Sequence, residues 1–216
     1  MMRPIRSLLC AVFVVGFVSI TGCGGLFGGG NDEPVQTYMF TPREFRQNEA
    51  ESGSNAVLLV SPVQSVGHDS QRMAYSMRPY ERTFYAFSQW ADTPPRMIEP
   101  LVVQAMESSG MFRAVIDASS TAEAQIRLDL DLLVLQHEFH TARSQGRMVL
   151  RAQLYAMETN RILGTRIFEA TAAAPTENAY GGVLALNLAL EEILRELVEW
   201  TGGAVEAEEA PGLIEP

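Results

Sequence analysis

The chain has 216 residues, 16 of them basic and 26 acidic, and its formal net charge is −10. The length suits one compact domain with short extensions. The acidic balance excludes the concentrated basic surface that a nucleic-acid partner needs, and all 16 basic residues are Arg. The two Cys exclude a disulfide-rich scaffold and a four-Cys zinc module, and the 47% hydrophobic content excludes a wholly disordered chain.

Residues 1–22 have the pattern of a lipoprotein signal peptide. Arg3 and Arg6 precede an uncharged apolar run, 8–20, which is shorter than the roughly 20 residues that span a bilayer. The run leads into an Ile-Thr-Gly-Cys sequence that ends at Cys23 and resembles the bacterial lipobox. That resemblance implies cleavage before Cys23 and a covalent diacylglycerol and N-acyl lipid on it. A secreted protein with a chance Cys and a short transmembrane anchor are the alternatives.

Residues 23–34 comprise the predicted lipidation site, Cys23, and a glycine-rich tether. Glycine-rich chains are flexible, and one of this length extends about 17–20 Å on average. We therefore expect the lipid anchor to hold the folded domain, 35–201, close to the membrane. Gly24 stands where an Asp would retain a Gram-negative lipoprotein at the inner membrane. Its presence favours the inner leaflet of the outer membrane, facing the periplasm.

The first half of the domain predicts four short strands and one helix. Pro62 ends the second strand, and the turn Arg78–Glu81 joins the third to the fourth. Pro94 and Pro95 begin the helix, since Pro is tolerated in a first helical turn. Gly110 ends it, because Gly adopts positive φ at little cost. The predicted strands are 35–40, 56–63, 72–76 and 82–87.

Three longer strands and a second helix follow. From Ile126 to Val134 apolar residues alternate with charged ones, and 147–157 and 162–172 complete an antiparallel meander. Leu133 and Leu135 make the second face of the first long strand apolar as well, which predicts a covering element or a bound partner there. A single apolar stripe predicts the helix over about 180–201. The stripe comprises Val183, Leu186, Leu190, Ile193, Leu197 and Trp200.

Beyond this helix, Gly202 and Gly203 are predicted to end the helical pattern. The remaining residues, 202–216, are predicted to form an acidic disordered tail, with a partner-binding tail as the alternative. The element order predicts an α+β fold of two layers, in which both helices cover one face of a mostly antiparallel sheet.

No catalytic or metal-binding pattern stands out. His137 and His140 are three residues apart at a strand end, whereas the zinc-protease motif places two His four apart on a helix. We therefore expect both His at an exposed loop or strand edge rather than in a metal site. His68, Asp69 and Ser70 are adjacent, but adjacency in the sequence is not the geometry of a catalytic triad. Asp129 and Asp131 share a strand face and are expected to be solvent-facing charges. We expect no enzymatic activity, no metal and no cofactor beyond the lipid.

Residues 75–97 are instead crowded with aromatic side chains and Arg, which are enriched at recognition surfaces. The candidate docking residues in this segment are Arg78, Tyr80, Tyr85 and Trp90. The alternative is that these side chains pack into the core.

The same segment carries a family resemblance. Its motifs are the Arg-Pro-Tyr-Glu sequence 78–81, Phe84-Tyr85, Trp90-Ala91, Pro94-Pro95 with Met97, and the Ser-Gly-Met-Phe sequence 109–112. In this order they resemble the ABC-type transport auxiliary lipoproteins, over about residues 35–201.

The resemblance implies a non-enzymatic lipoprotein that helps to move lipids or other hydrophobic molecules between the two membranes. It implies docking on a mammalian-cell-entry-type periplasmic component, with energy from a separate ATPase, because the chain has no phosphate-binding loop. A homo-oligomer stays open. The alternatives are an outer-membrane assembly or scaffold lipoprotein and a lipoprotein hydrolase.

Overall fold

A computed structural model describes residues 34–41 and 54–209. Pro34 is the first residue of the compact unit that contains all the described elements. The predicted signal peptide, Cys23 and the tether up to Glu33 lie outside the described residues, as does the tail after Glu209.

The described residues form nine strands and two helices. The α+β prediction is confirmed, and every predicted element is present near its predicted bounds. Two short strands, β3 and β6, were not predicted from the sequence. The elements are β1 Gln36–Tyr38, β2 Val57–Val60, β3 Gln64–Ser65, β4 Arg72–Ser76, β5 Thr83–Trp90, α1 Pro94–Ser109, β6 Ala114–Asp117, β7 Ile126–Glu138, β8 Gln145–Ala156, β9 Arg161–Ala173 and α2 Ala179–Glu209.

The long strand β7 organises an open, mixed sheet. One edge of β7 pairs antiparallel with β8, which pairs antiparallel with β9, so the predicted meander is confirmed. The other edge pairs in parallel with β2, β3 and β4 in succession. Beyond these strands lie β6, next to β2, and β5 and β1, next to β4. The sheet is therefore mixed rather than mostly antiparallel, since the pattern of a single strand does not specify the direction of its neighbour.

Strand β7 contains a bulge that reverses which residues face the core. Leu132 pairs with Leu150 and Val134 with Val149, so Leu133 is an extra residue on β7. Even-numbered residues are buried up to Leu132, whereas Leu135 is buried beyond it. The bulge explains the apolar run at Leu133 and Leu135, which the sequence analysis assigned to a second apolar face.

Helix α2 lies unusually close to the sheet. A Cβ added at Gly146 of β8 would lie 2.7 Å from the Leu186 backbone nitrogen, and one at Gly182 would lie 2.6 Å from His137 Nδ1. These two glycines therefore allow the helix axis to approach the strands. The predicted stripe is confirmed, because Val183, Leu186, Leu190, Ile193 and Leu197 are all buried. Trp200, at its end, is partly buried and packs edge-on against Phe168.

Helix α1 also matches its prediction. It begins at Pro94, and Gly110 caps its end with φ of 67°. Both helices pack on the sheet and on each other, and their apolar faces share one core. Among the described residues, neither helix is long and apolar enough to cross a membrane.

The predicted end of α2 is wrong. The helix continues through Gly202 and Gly203 to Glu209, although Gly costs about 1 kcal/mol in a helix interior. Packing outweighs that cost: Gly202 lies against the Met111 side chain, and Val205 is only 2% exposed. Glu208 also forms an ion pair with Arg161. The acidic tail therefore starts as helix rather than as disordered chain.

We expect Gly146→Ala and Gly203→Ala to have opposite effects on stability. An added methyl group at Gly146 meets the α2 backbone, so the free energy of unfolding should fall by about 1–3 kcal/mol. Apart from the neighbouring α2 backbone, no atom of the described residues lies within 4 Å of a Cβ added at Gly203, so Ala should raise the free energy of unfolding by roughly 0.5–1 kcal/mol. Urea titrations measure both changes. No gain from Gly203→Ala would contradict the extended helix, and an unchanged midpoint for Gly146→Ala would contradict the close approach of α2.

Candidate docking surface

The hairpin of β4 and β5 presents two of the predicted docking residues at its tip. Glu81 N–H donates to the Arg78 carbonyl over 3.3 Å and closes the turn. Tyr80 lies within this turn, and its side chain is fully exposed. Arg78 is also exposed. Met77, 55% exposed, stands next to them. The tip therefore combines a guanidinium group with aromatic and aliphatic surface, a combination typical of binding sites.

Tyr80 adopts a backbone conformation that is unfavourable for its residue type. Its φ is +67°, and the only other described non-glycine residue with positive φ is Asn160, in the turn between β8 and β9. Asn tolerates this region, whereas a bulky side chain pays about 1–2 kcal/mol there. Because the Tyr80 ring is not buried, packing within the described part of the chain does not offset this cost. Backbone strain of this kind clusters at functional sites, which makes the turn a candidate docking element.

Tyr85 supports the base of the hairpin. Its hydroxyl lies 2.8 Å from His137 Nδ1 on β7, and its ring lies 4.7 Å from that of Tyr75 on β4. Burial raises the pKa of the Tyr85 hydroxyl well above its ordinary value, whereas burial lowers the pKa of His137 to about 4. Both groups are therefore neutral near pH 7, and the hydrogen bond joins the Tyr85 hydroxyl to a neutral imidazole. A half-buried residue with this bond positions the tip rather than presenting itself to a partner.

A cluster of rings joins the hairpin to β7 and α2. Phe139 lies 4.2 Å from the His137 ring and meets Tyr75 edge-on at 6.0 Å. The other side of His137 contacts α2 at Gly182. His137 Nε2 is buried and has no hydrogen-bond partner among the described residues. The cluster fixes the orientation of the hairpin through side-chain packing.

Trp90 lies in the core and cannot dock a partner in this fold. It is 1% exposed and stacks on Phe40 with ring centroids 4.7 Å apart. Its backbone N–H donates to the Gln71 carbonyl over 2.7 Å. Of the four predicted docking residues, the structure therefore brings Arg78 and Tyr80 together at the surface and places Trp90 with the core. Cys23 lies outside the described residues.

The other candidate residues form no catalytic or metal site. His137 is buried, contrary to the exposed position expected for it, because the β7 bulge turns it toward the core, whereas His140 is exposed. In the described part of the chain no three His, Cys, Asp or Glu side chains are grouped as metal ligands. Asp129 and Asp131 lie opposite the core, as expected, in ion pairs of 3.1 and 2.8 Å with Arg127 and Arg151.

His68 is a second buried imidazole. Burial and the nearby Arg82 guanidinium lower its pKa to about 4. Arg82 Nη2 lies 3.3 Å from His68 Nε2, and Arg82 also donates to the Gly67 carbonyl over 3.1 Å. Ser65 binds the neighbouring Asp69 rather than the imidazole. His68 therefore helps to fix the segment before β4.

A groove that the sequence did not predict lies between β1 and the first half of α2. It has a volume of about 650 Å³. Tyr180, Leu184 and Leu188 of α2 line it and are 54%, 37% and 46% exposed, and Met39 lies across from them at 56%. The four-residue spacing of the three α2 residues is a second apolar stripe. That stripe was readable in the sequence, but the stronger stripe of the buried face obscured it.

The comparisons with known proteins decide the family. A family model described as the ABC-type transport auxiliary lipoprotein component matches residues 38–198. The chain belongs to this family. The resemblance seen in the sequence is confirmed, and membership of a lipoprotein family places the chain in the bacterial cell envelope, in association with an ABC transport system. No curated protein matches the chain at a significant level.

Solved structures share the fold. A protein of Xanthomonas campestris has 23% sequence identity and a TM-score of 0.74, with 82% of this chain and all of that chain covered. An uncharacterised protein has 12% identity and a TM-score of 0.62, with 78% and 99% covered. A hypothetical protein of Chlamydia trachomatis has 12% identity and a TM-score of 0.53, with 71% and 99% covered. At these identities the likeness extends to the fold alone.

Because two imidazoles are buried, we predict that the free energy of unfolding falls on mild acidification. Between about pH 6.5, the ordinary His value, and about pH 4, the unfolded chain takes up protons at His68 and His137 while the folded chain does not. The free energy of unfolding should therefore be largest above this range and decrease as the pH falls through it.

Urea titrations at about pH 7 and about pH 5 measure this dependence. The readout for each variant is the difference in the free energy of unfolding between the two pH values. His137→Gln and His68→Gln should each reduce that difference, and the double variant should reduce it by nearly the sum, since the two imidazoles have different side-chain partners, Tyr85 and Arg82. An unchanged difference in both single variants, or a wild type that gains stability on acidification, would contradict the burial of neutral imidazoles.

Proposed function

We propose that this protein is the auxiliary lipoprotein of an ABC-type system that moves lipids or other hydrophobic molecules between the inner and outer membranes. In this proposal the exposed hairpin tip, with Arg78 and Tyr80, docks on a mammalian-cell-entry-type periplasmic component. Family membership supports the transport role. The combination of full exposure and backbone strain at Tyr80 is the observation that supports the hairpin as the docking element.

The proposal includes a lipid anchor on Cys23. The lipobox-like sequence and the apolar run before it support signal cleavage and acylation at this residue. Two or more acyl chains give stable membrane attachment, whereas one alone is marginal. With Gly24 after the lipidated residue, the protein would lie on the inner leaflet of the outer membrane and face the periplasm.

The chemistry of the tip suits a protein partner. Arg78 offers a planar guanidinium that binds carboxylates in two-point geometry or stacks on aromatic rings. Tyr80 adds rigid amphipathic surface that loses little side-chain entropy on binding. Glu81 and Arg82 beside them supply charges of both signs, which contribute orientation rather than large affinity.

We propose a supporting role rather than catalysis. In the described ranges, 34–41 and 54–209, the side-chain hydrogen bonds of the two buried imidazoles lead from His68 to Arg82 and from His137 to Tyr85 rather than to a serine. The hydrolysis of ATP would belong to a separate subunit of the same system. An assembly or scaffold lipoprotein remains the competing hypothesis, and partner identity separates the two.

Replacing Tyr80 by Gly tests the hairpin directly. Because Gly accepts a φ of +67°, Tyr80→Gly should raise the free energy of unfolding by about 1 kcal/mol and yet remove docking surface. We expect the transporter's periplasmic component to co-purify with the wild type from solubilised envelopes. The Arg78→Ala/Tyr80→Gly variant should recover at most one tenth as much of it, which corresponds to a loss of roughly 1.4 kcal/mol of binding free energy.

Asn160→Gly is the matched control, because it makes the same backbone change in a hairpin turn elsewhere in the fold. It should leave co-purification unchanged. Equal recovery of the component with all three proteins would overturn the hairpin as the docking element. Recovery of a β-barrel or cell-wall protein in place of a transporter component would favour the scaffold hypothesis.

A further inference from the structure

The groove between β1 and α2 lies beside an open edge of the sheet. β1 pairs with β5 on one side, and no described residue pairs with its other edge. Ala91 N–H donates to the Tyr38 carbonyl over 2.7 Å, so the backbone of Tyr38 faces β5. Because successive residues of a strand point their backbone groups to opposite sides, Thr37 directs its N–H and C=O to the open edge. This edge offers hydrogen bonds to an added strand.

Helix α2 supplies an apolar wall next to that edge. Tyr180, Leu184 and Leu188 lie one helical turn apart and together line the groove with Thr37 and Met39. The groove is bounded on the far side by Ala173, the last residue of β9, and by Pro175. A volume of about 650 Å³ between an open strand edge and an apolar helix face accommodates several side chains of an extended segment.

The segments that form the groove carry one sign of charge. Residues 34–41 contain no charged side chain, and residues 173–194 contain three Glu and no basic residue. Glu191 lines the groove itself. Opposite charge across an interface fixes orientation and excludes wrong partners, so basic residues flanking an apolar segment fit this surface and acidic ones do not.

We propose that this groove binds an extended peptide segment of the transporter's periplasmic component, which adds a strand to β1 and places alternate apolar side chains against α2. Strand addition satisfies the backbone groups of Thr37, whereas the acyl chain of a lipid would cover them without hydrogen bonds. The identity of the partner rests on the proposed function, but the chemistry of the segment rests on the groove alone: extended, apolar at alternate positions and basic at its ends.

The test uses the full chain in phospholipid nanodiscs and a short fluorescent peptide with valine at alternate positions and arginine at both ends. Fluorescence anisotropy should show saturable binding. Leu184→Asp combined with Leu188→Asp should weaken it at least tenfold, about 1.4 kcal/mol, while the fold persists because both side chains are exposed. Ile167→Asp, at an exposed position of β9 that does not line the groove, is the matched control and should leave binding unchanged.

Two N-methylated peptides separate strand addition from general apolar binding. Methyl groups on the backbone nitrogens of the peptide edge that would pair with β1 should abolish binding. Methyl groups on the nitrogens of the opposite edge should leave binding intact. Equal binding of both peptides would overturn strand addition, as would binding of palmitate without binding of the peptide. A dimer that the Leu184→Asp/Leu188→Asp variant abolishes would identify a second copy as the occupant and also overturn the proposal.

This measurement needs no transporter, so it is separable from the proposed function. Selective peptide binding together with failed co-purification of the transporter component would contradict the proposed function alone. Equal binding of the two N-methylated peptides by a protein that still co-purifies with that component would contradict this inference alone.

Discussion

The pairing of β7 on both of its edges is the constraint on which the rest of the fold depends. One edge carries the meander of β8 and β9, and the other receives three short strands in parallel. Thirteen residues of continuous strand are needed to span all of these partners. The bulge at Leu133 lets the same strand bury Leu132 and Leu135 on one face, so a single core extends from β2 to the strand end near His137.

Two surfaces follow from this arrangement. The end of β7 holds the ring cluster of Tyr85, His137 and Phe139, which orients the hairpin and leaves Tyr80 exposed at its tip. The far side of the sheet ends in β1, whose open edge lies next to α2 because the helix approaches the strands through Gly146 and Gly182. A rigid scaffold thus presents a strained turn and an apolar groove, and both are suited to contacts with other molecules.

The sequence predicted most of the elements and the antiparallel meander, but not the parallel pairing of the short strands with β7. Strong periodicity in 126–134 and along α2 predicted a strand and a helix that the structure confirms. The parallel contacts of β2 and β4 with β7 were not predictable, because they depend on long-range register rather than on local pattern. The helical residues after Gly203 were missed for a related reason: the packing of Val205 and the ion pair of Glu208 outweigh a local stop signal.

The candidate site was predictable in part. Local composition identified the aromatic segment and placed Arg78 and Tyr80 within it, but composition does not distinguish an exposed ring from a buried one. Trp90 was therefore grouped with Tyr80, although its stacking on Phe40 places it in the core. The positive φ of Tyr80 separates the two residues, and that dihedral angle is visible only in the folded chain.

The most direct test of a role in ABC-driven transport is genetic. Cells that lack this protein, cells in which the ATPase of the system is inactive, and cells with both defects can be compared for sensitivity to a hydrophobic compound that crosses a weakened outer membrane. We predict equal sensitivity in all three strains, because each defect interrupts the same process. A double defect clearly more severe than either single one would show that the protein acts outside the transport system and would contradict this account.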